Sequence, residues 1–165
     1  MAMTAQRREE LIGLYEDGPR KLSAAYEQVP EEARKWRPAP EKWSAHEVAC
    51  HCADSETNAA MRIRYLLAEK DPLIVGYDQA AWATQFEYHE LPAGAALATV
   101  VAVRAGTVPL LRRMTQEDWR KTGRHTEVVG AFGTEQWLEV YAEHLEKHSG
   151  QILRNLEAWK AENRG

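Results

Sequence analysis

The stretch Trp43-Ser44-Ala45-His46-Glu47-Val48-Ala49-Cys50-His51-Cys52-Ala53-Asp54 opens the best-defined helix in the chain. Ser44, followed three residues later by Glu47, is a capping box in which each side chain meets the other's unpaired backbone amide. The helix is expected to run to about Glu69 and to end at Asp71-Pro72. Steps of three and four residues put Val48, His51 with Cys52, Ser55, Ala59, Ile63 and Leu66 or Leu67 on its inward face. A histidine therefore lies on a stripe that otherwise reads as core.

Outward from this helix the same period recurs three times. A first helix is expected from about Thr4 to Gln28, with Leu11, Leu14, Tyr15, Leu22, Tyr26 and Val29 as its apolar stripe. Gly18-Pro19 falls inside it and is expected to kink or split it, since proline removes a donor and clashes with the preceding turn. Trp36 to Pro40 is a connection. After Pro72 a long crossover reaches Pro92, with a short helix around Asp78 to Gln85. A third helix follows from Ala93 to Met114, carrying Leu97, Val100, Val101, Val108 and Leu111 and weakened by Gly106 and Pro109. Trp119 to Gly133 is a further connection in which Val128-Val129 forms a brief extended piece. Thr134 is expected to cap the last helix, which runs to about Trp159 and turns Trp137, Val140, Tyr141, His144, His148, Ile152 and Leu156 inward. Strand-like alternation is scarce, so the fold class expected is all-α, a four-helix bundle with a long crossover between helices 2 and 3.

The composition agrees with one domain spanning residues 1–165: 44% apolar and 28% charged residues suit a single compact core and leave no room for a second full-sized one. The formal charge of −4 argues against a nucleic-acid partner. No apolar run approaches the roughly 20 residues of a membrane span, and the first residues lack the apolar segment of a secretory signal, so the expected location is cytoplasmic with no membrane partner. Cys50 and Cys52 are too close for an ordinary disulfide. On a helix they point about 200° apart, which excludes a joint zinc cluster with His51. They read as reduced, buried thiols, with a redox or nucleophilic Cys52 as the alternative.

His144 and His148 are four residues apart, which places both imidazoles on one helix face about 6 Å apart along the axis. Such pairs also occur on solvated faces. Here both share a stripe with Trp137, Tyr141 and Ile152, and buried imidazoles need polar partners or a metal to offset desolvation. His51 offers a third nitrogen, and three imidazoles leave coordination positions open, as in a catalytic metal site. Glu146 stands two residues from His144 and is rotated away, so the zinc-peptidase helix motif is absent. Asp54, one turn beyond His51, is the candidate to orient an imidazole or a water at the metal, with an ordinary exposed carboxylate as the alternative. His46 is expected to face solvent. His89 and His125 are expected on the surface or at a pocket rim. Trp43 reads as a staple at the helix start, and Trp137 as a pocket wall.

The motif Trp36-x-Pro38-x-Pro40-x-x-Trp43-Ser44-x-x-Glu47-x-x-x-His51-x-x-Asp54-x-Glu56, followed by Gly133-Thr134-x-x-Trp137-Leu138-x-x-Tyr141-x-x-His144-x-x-x-His148-x-x-Gln151-Ile152, resembles the DinB/YfiT-like metalloproteins. The resemblance spans nearly the whole chain. It implies an up-down-down-up bundle, a homodimer, and a divalent metal held by His51, His144 and His148, with zinc or nickel ahead of iron. It also implies a small-molecule substrate and a metal-dependent reaction, either transfer of a bacterial low-molecular-weight thiol such as bacillithiol or mycothiol, or hydrolysis. The alternative is a non-catalytic small-molecule or partner-binding bundle whose metal is structural or absent. The motif assigns no role to Trp82, His89 or His125.

Overall fold

A computed structural model describes residues 3–164. Its first helix, α1 (Ala5–Glu27), starts where the Thr4 hydroxyl accepts the Arg7 amide. Of the two outcomes expected at Gly18-Pro19, a kink or a split, the split does not occur: the helix runs on through both residues. Pro19 has no N–H, which leaves the Tyr15 carbonyl without its usual partner four residues on. The guanidinium of Arg104 takes that place, Nη1 donating to Tyr15 O at 2.5 Å. Gly18 makes room for it, because a Cβ there would meet Arg104 Nη1 at 2.5 Å and Leu145 at 3.1 Å.

A single turn, α2 (Glu31–Arg34), leads to α3 (Ala45–Ala68), whose capping box forms as expected. Ser44 Oγ accepts the Glu47 amide at 3.1 Å, and Glu47 Oε2 accepts the Ser44 amide at 2.9 Å. The crossover contains β1 (Leu73–Ile74), the short helix α4 (Gln79–Gln85) capped by Asp78, and a 3-10 turn at Tyr88–Glu90. The next long helix, α5 (Ala93–Leu111), passes through Gly106 and Pro109 without a break and stops three residues short of Met114. By length and composition α5 is apolar enough to cross a membrane, with a mean hydropathy of 1.6 over its most apolar window, which corrects the expectation that no such run exists. Arg104 is its one charged residue. Of its apolar residues Val100 and Leu111 are buried and Val101 is 48% exposed.

The sequence expectation of an all-α protein holds for the bundle and fails for Trp119 to Gly133. After a 3-10 turn at Asp118–Arg120, β2 (Thr122–His125) and β3 (Val128–Gly133) form an antiparallel hairpin, and β1 joins β2 in parallel to make a three-stranded sheet in the order β1-β2-β3. The register pairs Leu73 with Arg124 and Thr122 with Gly133. Ile74 and Phe132 turn inward from this sheet onto Trp119, Trp137 and Leu138. The sheet therefore covers the bundle.

The last long element is interrupted. α6 (Thr134–Ala142) and α7 (His144–Glu162) are separated at Glu143, immediately before the first histidine of the pair. Thr134 does not cap α6; it lies within the helix and donates its hydroxyl to Asp118 O at 3.0 Å. Val140, expected inward beside Tyr141, is exposed. The four long elements α1, α3, α5 and α6–α7 pack as a bundle around two apolar cores. One gathers Leu11, Tyr15, Ile63, Leu111 and Trp137, the other Leu22, Val48, Cys52, Val100, Leu145 and Ile152. Burial of side chains of this size contributes about 1.5–3 kcal/mol each relative to exposure, which lets the bundle carry buried polar groups between the two.

Candidate metal centre

Three histidines stand among the polar groups the bundle encloses, His51 buried and His144 and His148 partly buried. α3 supplies His51, while α7 supplies His144 and His148 one turn apart, with ring centroids 5.6 Å and 4.8 Å from His51, respectively, and 4.6 Å from one another. One nitrogen from each ring lies within 4.8 Å of the other two, close enough for a single ion to bridge all three. The cluster is the one drawn from helix spacing. His51 is 1% exposed, and the other two are partly covered.

Electrostatics keep two of the three rings, His51 and His148, neutral. Burial lowers His51 to about 3, reinforced by the neighbouring His148 and His144. Burial and His144 lower His148 to about 4, against the opposing influence of Gln151 and Glu56. Neutral imidazoles are the form that ligates metal. His51 Nδ1 is buried without a hydrogen-bond partner. An orphaned nitrogen of this kind costs desolvation energy until it binds something, so the donor set fits a divalent ion of the imidazole-accepting class.

The surrounding layer was only partly legible. His144 Nδ1 lies 3.2 Å from Glu56 Oε1, and Glu56 is fully buried. Arg104 grips that carboxylate with two donors, Nε to Oε2 at 2.8 Å and Nη2 to Oε1 at 2.7 Å. Burial pushes the Glu56 carboxyl up, yet the hydrogen bonds from His144 and Arg104 outweigh it and hold it below the usual carboxylate range. His148 Nδ1 lies 2.9 Å from Gln151 Oε1, and Ser55 Oγ is 3.4 Å from His144 Nε2. Glu56 and Gln151 appear in the sequence motif without an assigned role. The signal for Arg104 was available, since a lone charge inside an apolar helix is buried only when paired.

Other expected residues land elsewhere. Asp54 accepts the Tyr88 hydroxyl at 2.6 Å, while the imidazoles take their hydrogen bonds from Glu56, Gln151 and Ser55. Trp43 packs its ring 4.7 Å from that of His51 and so covers the imidazole itself. Trp137 lies one layer back, donating Nε1 to Ala59 O and stacking on Tyr141, which in turn faces His144. His46 is buried rather than solvent-facing, because its Nε2 reaches Leu91 O at 2.8 Å in the crossover. His89 is half-buried at 3.0 Å from both Ser44 Oγ and Glu47 Oε2. His125 packs against Phe132 in the hairpin. Burial pushes the Cys50 thiol up to about 11 and Cys52 well above the usual thiol range, which supports the packing role for both. Above Ser55 the Tyr77 hydroxyl is buried without a hydrogen-bond partner, and Arg62 links the Tyr141 hydroxyl to Val75 O.

A four-helix bundle with three converging imidazoles defines a class of metal-binding fold before any relative is considered. The sequence profile of the DinB superfamily matches residues 14–152, and the chain belongs to that superfamily. A protein of Oceanobacillus iheyensis, by its name a conjectured metal-dependent hydrolase, is 31% identical over 110 residues, covering 67% of this chain and 63% of that relative. YfiT of Bacillus subtilis, named in the same way, is 24% identical over 151 residues, covering 92% of this chain and 85% of YfiT. The solved structure of YfiT, described as having an unusual four-helix bundle topology, superposes with a TM-score of 0.88 at 23% identity over 95% of this chain and 90% of that one. That likeness establishes the fold.

Proposed function

We propose that this protein is a metal-dependent enzyme in which His51, His144 and His148 hold one divalent ion, zinc or nickel ahead of iron, and act on a small-molecule substrate by hydrolysis or by transfer of a low-molecular-weight thiol. The observation that carries the reading is the convergence of three imidazoles on one point, with a buried nitrogen of His51 left without a partner. Such an ion, when bound, supplies Lewis acidity that lowers the pKa of water or of a thiol toward neutrality. The protein's own residues do the rest. Trp43 and Tyr141 wall the imidazoles and exclude water. Tyr77, with a hydroxyl that burial pushes up to about 12, stays protonated and is a hydrogen-bond donor for a bound substrate. Asp54, held by Tyr88, is the carboxylate available one turn from His51 to take a proton.

The same proposal includes an up-down-down-up order of the long helices, a cytoplasmic location without membrane or nucleic-acid partners, and a homodimer. The homodimer is supported by the exposed apolar face of α5, of whose most apolar window only 33% is buried. The test is metal analysis of untagged protein after reconstitution with zinc or nickel, beside His144→Ala and His148→Ala. One ion per wild-type chain, lost in both variants, is the expected result, followed by turnover of ester or amide substrates or conjugation of a thiol to an electrophile. Failure of the wild type to retain stoichiometric metal would remove the metal reading. Retention of metal without turnover in either assay would leave a structural ion in a binding protein.

A further inference from the structure

We infer that Glu56 is the positioning residue of the metal centre, taking the Nδ1 proton of His144 so that Nε2 is the lone-pair nitrogen of that ring, and that Arg104 clamps Glu56 in the orientation this needs. The inference rests on the proposed metal site and adds what sets the chemical form of one ligand. A carboxylate gripped by both donors of a guanidinium is ionised and carries no hydrogen of its own. The proton in the 3.2 Å contact between Glu56 Oε1 and His144 Nδ1 therefore belongs to the imidazole. A neutral ring with its proton on Nδ1 has its single lone pair on Nε2.

Arg104 is suited to the clamp by position as well as charge. It rises from α5, 1% exposed, and every interaction it makes ends on another helix. Two donors go to Glu56 of α3, Nη1 goes to the Tyr15 carbonyl of α1 freed by Pro19, and Nη2 also reaches the Tyr141 carbonyl of α6 at 2.8 Å, just before the break that precedes His144. The Tyr15 ring lies under the guanidinium at 3.9 Å. A lysine has one point of charge and no planar fork, so it cannot hold both carboxylate oxygens and two carbonyls in this plane. His144 is thus referenced through Glu56 and Arg104 to all four elements of the bundle.

The test is 15N imidazole NMR on the full-length metal-free protein, paired with cobalt(II) titration followed by visible absorption. Wild-type His144 is expected as the pure Nδ1–H tautomer. In Glu56→Gln one amide oxygen cannot serve Arg104 Nε, Arg104 Nη2 and His144 Nδ1 together, so the pure Nδ1–H tautomer is expected to be lost and cobalt(II) affinity to fall about 10- to 100-fold with an altered d–d spectrum. A melting curve checks that the variant is folded. An Nε2–H or mixed tautomer in the wild type overturns the inference without any variant, and so does a folded Glu56→Gln whose tautomer and cobalt(II) affinity match the wild type. A wild type that binds no cobalt(II) but shows the Nδ1–H tautomer would sink the metal reading while sustaining the Glu56 contact.

Discussion

Glu47 and Glu56 stand nine residues apart on α3, and each is a buried carboxylate held by one arginine and one histidine. Their partners differ in origin. Glu47 meets Arg37, ten residues earlier, and His89 in the 3-10 turn, while also closing the Ser44 capping box. The Arg37 side chain is 42% exposed. Glu56 meets Arg104 and His144, which lie 48 and 88 residues away on other helices, with the Glu56 and Arg104 side chains closed to solvent. The same three groups therefore do two jobs. At the helix start they satisfy backbone amides and water shares the work. In the interior no water can substitute, so each partner is obligatory.

Removing the arginines is the sharpest way to test that contrast. Arg104→Met leaves the Glu56 charge buried and unpaired, and should cost about 3–5 kcal/mol. For a chain of this size that corresponds to a melting point lowered by roughly 10 °C or more. Arg37→Met should cost no more than about 1 kcal/mol. Equal losses in the two melting curves would show that burial does not separate the sites. Next in size is the space Arg104 needs. Gly18→Ala should destabilise by about 1–3 kcal/mol by pressing on Arg104 and Leu145. Gly13→Ala in the same helix meets nothing within 4 Å and should stabilise by up to about 1 kcal/mol. Opposite signs in urea unfolding are the expected result; a common sign would mean that the gap at Gly18 is not functional.

The pH dependence of the metal-free protein separates the histidines from both carboxylates. His51 and His148 titrate near 3 and 4 when folded, below the usual histidine value of 6.5, so the native state binds fewer protons than the unfolded chain below about pH 6.5. Stability is complete above that point and falls as pH drops toward 4, with a slope of at most about 1.4 kcal/mol per pH unit for each histidine. At Glu47 and Glu56 burial raises the carboxyl and hydrogen bonding more than reverses it, so both are held below 4.5 and their contribution is lost only at still lower pH. Urea unfolding at a series of pH values should show a smaller slope in His148→Gln; an unchanged slope between pH 6.5 and 4.5 would sink the assignment. The smallest effect is at the cap, where Ser44→Ala should cost about 1 kcal/mol and leave cobalt(II) affinity unchanged. A matching loss of metal would tie the two sites together.

Local signals explain what the sequence revealed. Ser44 and Glu47 announce a helix start within four residues, and His144 and His148 share a face through helix geometry alone. What escaped was non-local. The strands of the sheet are as short as Leu73–Ile74, and that one pairs with residues about fifty positions later, so no alternation had room to develop. His46 was misplaced because the Leu91 carbonyl that buries it comes from the crossover. At Gly18-Pro19 the sequence offers a split as readily as a kink, because the donor that meets the freed carbonyl sits on α5. The interruption at Glu143 has no proline or glycine to mark it.

Arg104 has a consequence for membrane insertion as well as for the finished fold. α5 is a nineteen-residue segment of alanine, valine and leucine character, long and apolar enough to span a membrane. An arginine near the middle of such a segment opposes insertion by about 2.5–3.5 kcal/mol. The residue that ties the bundle together is thus also the one charge that opposes insertion of its most apolar helix, and Arg104→Leu would remove both effects.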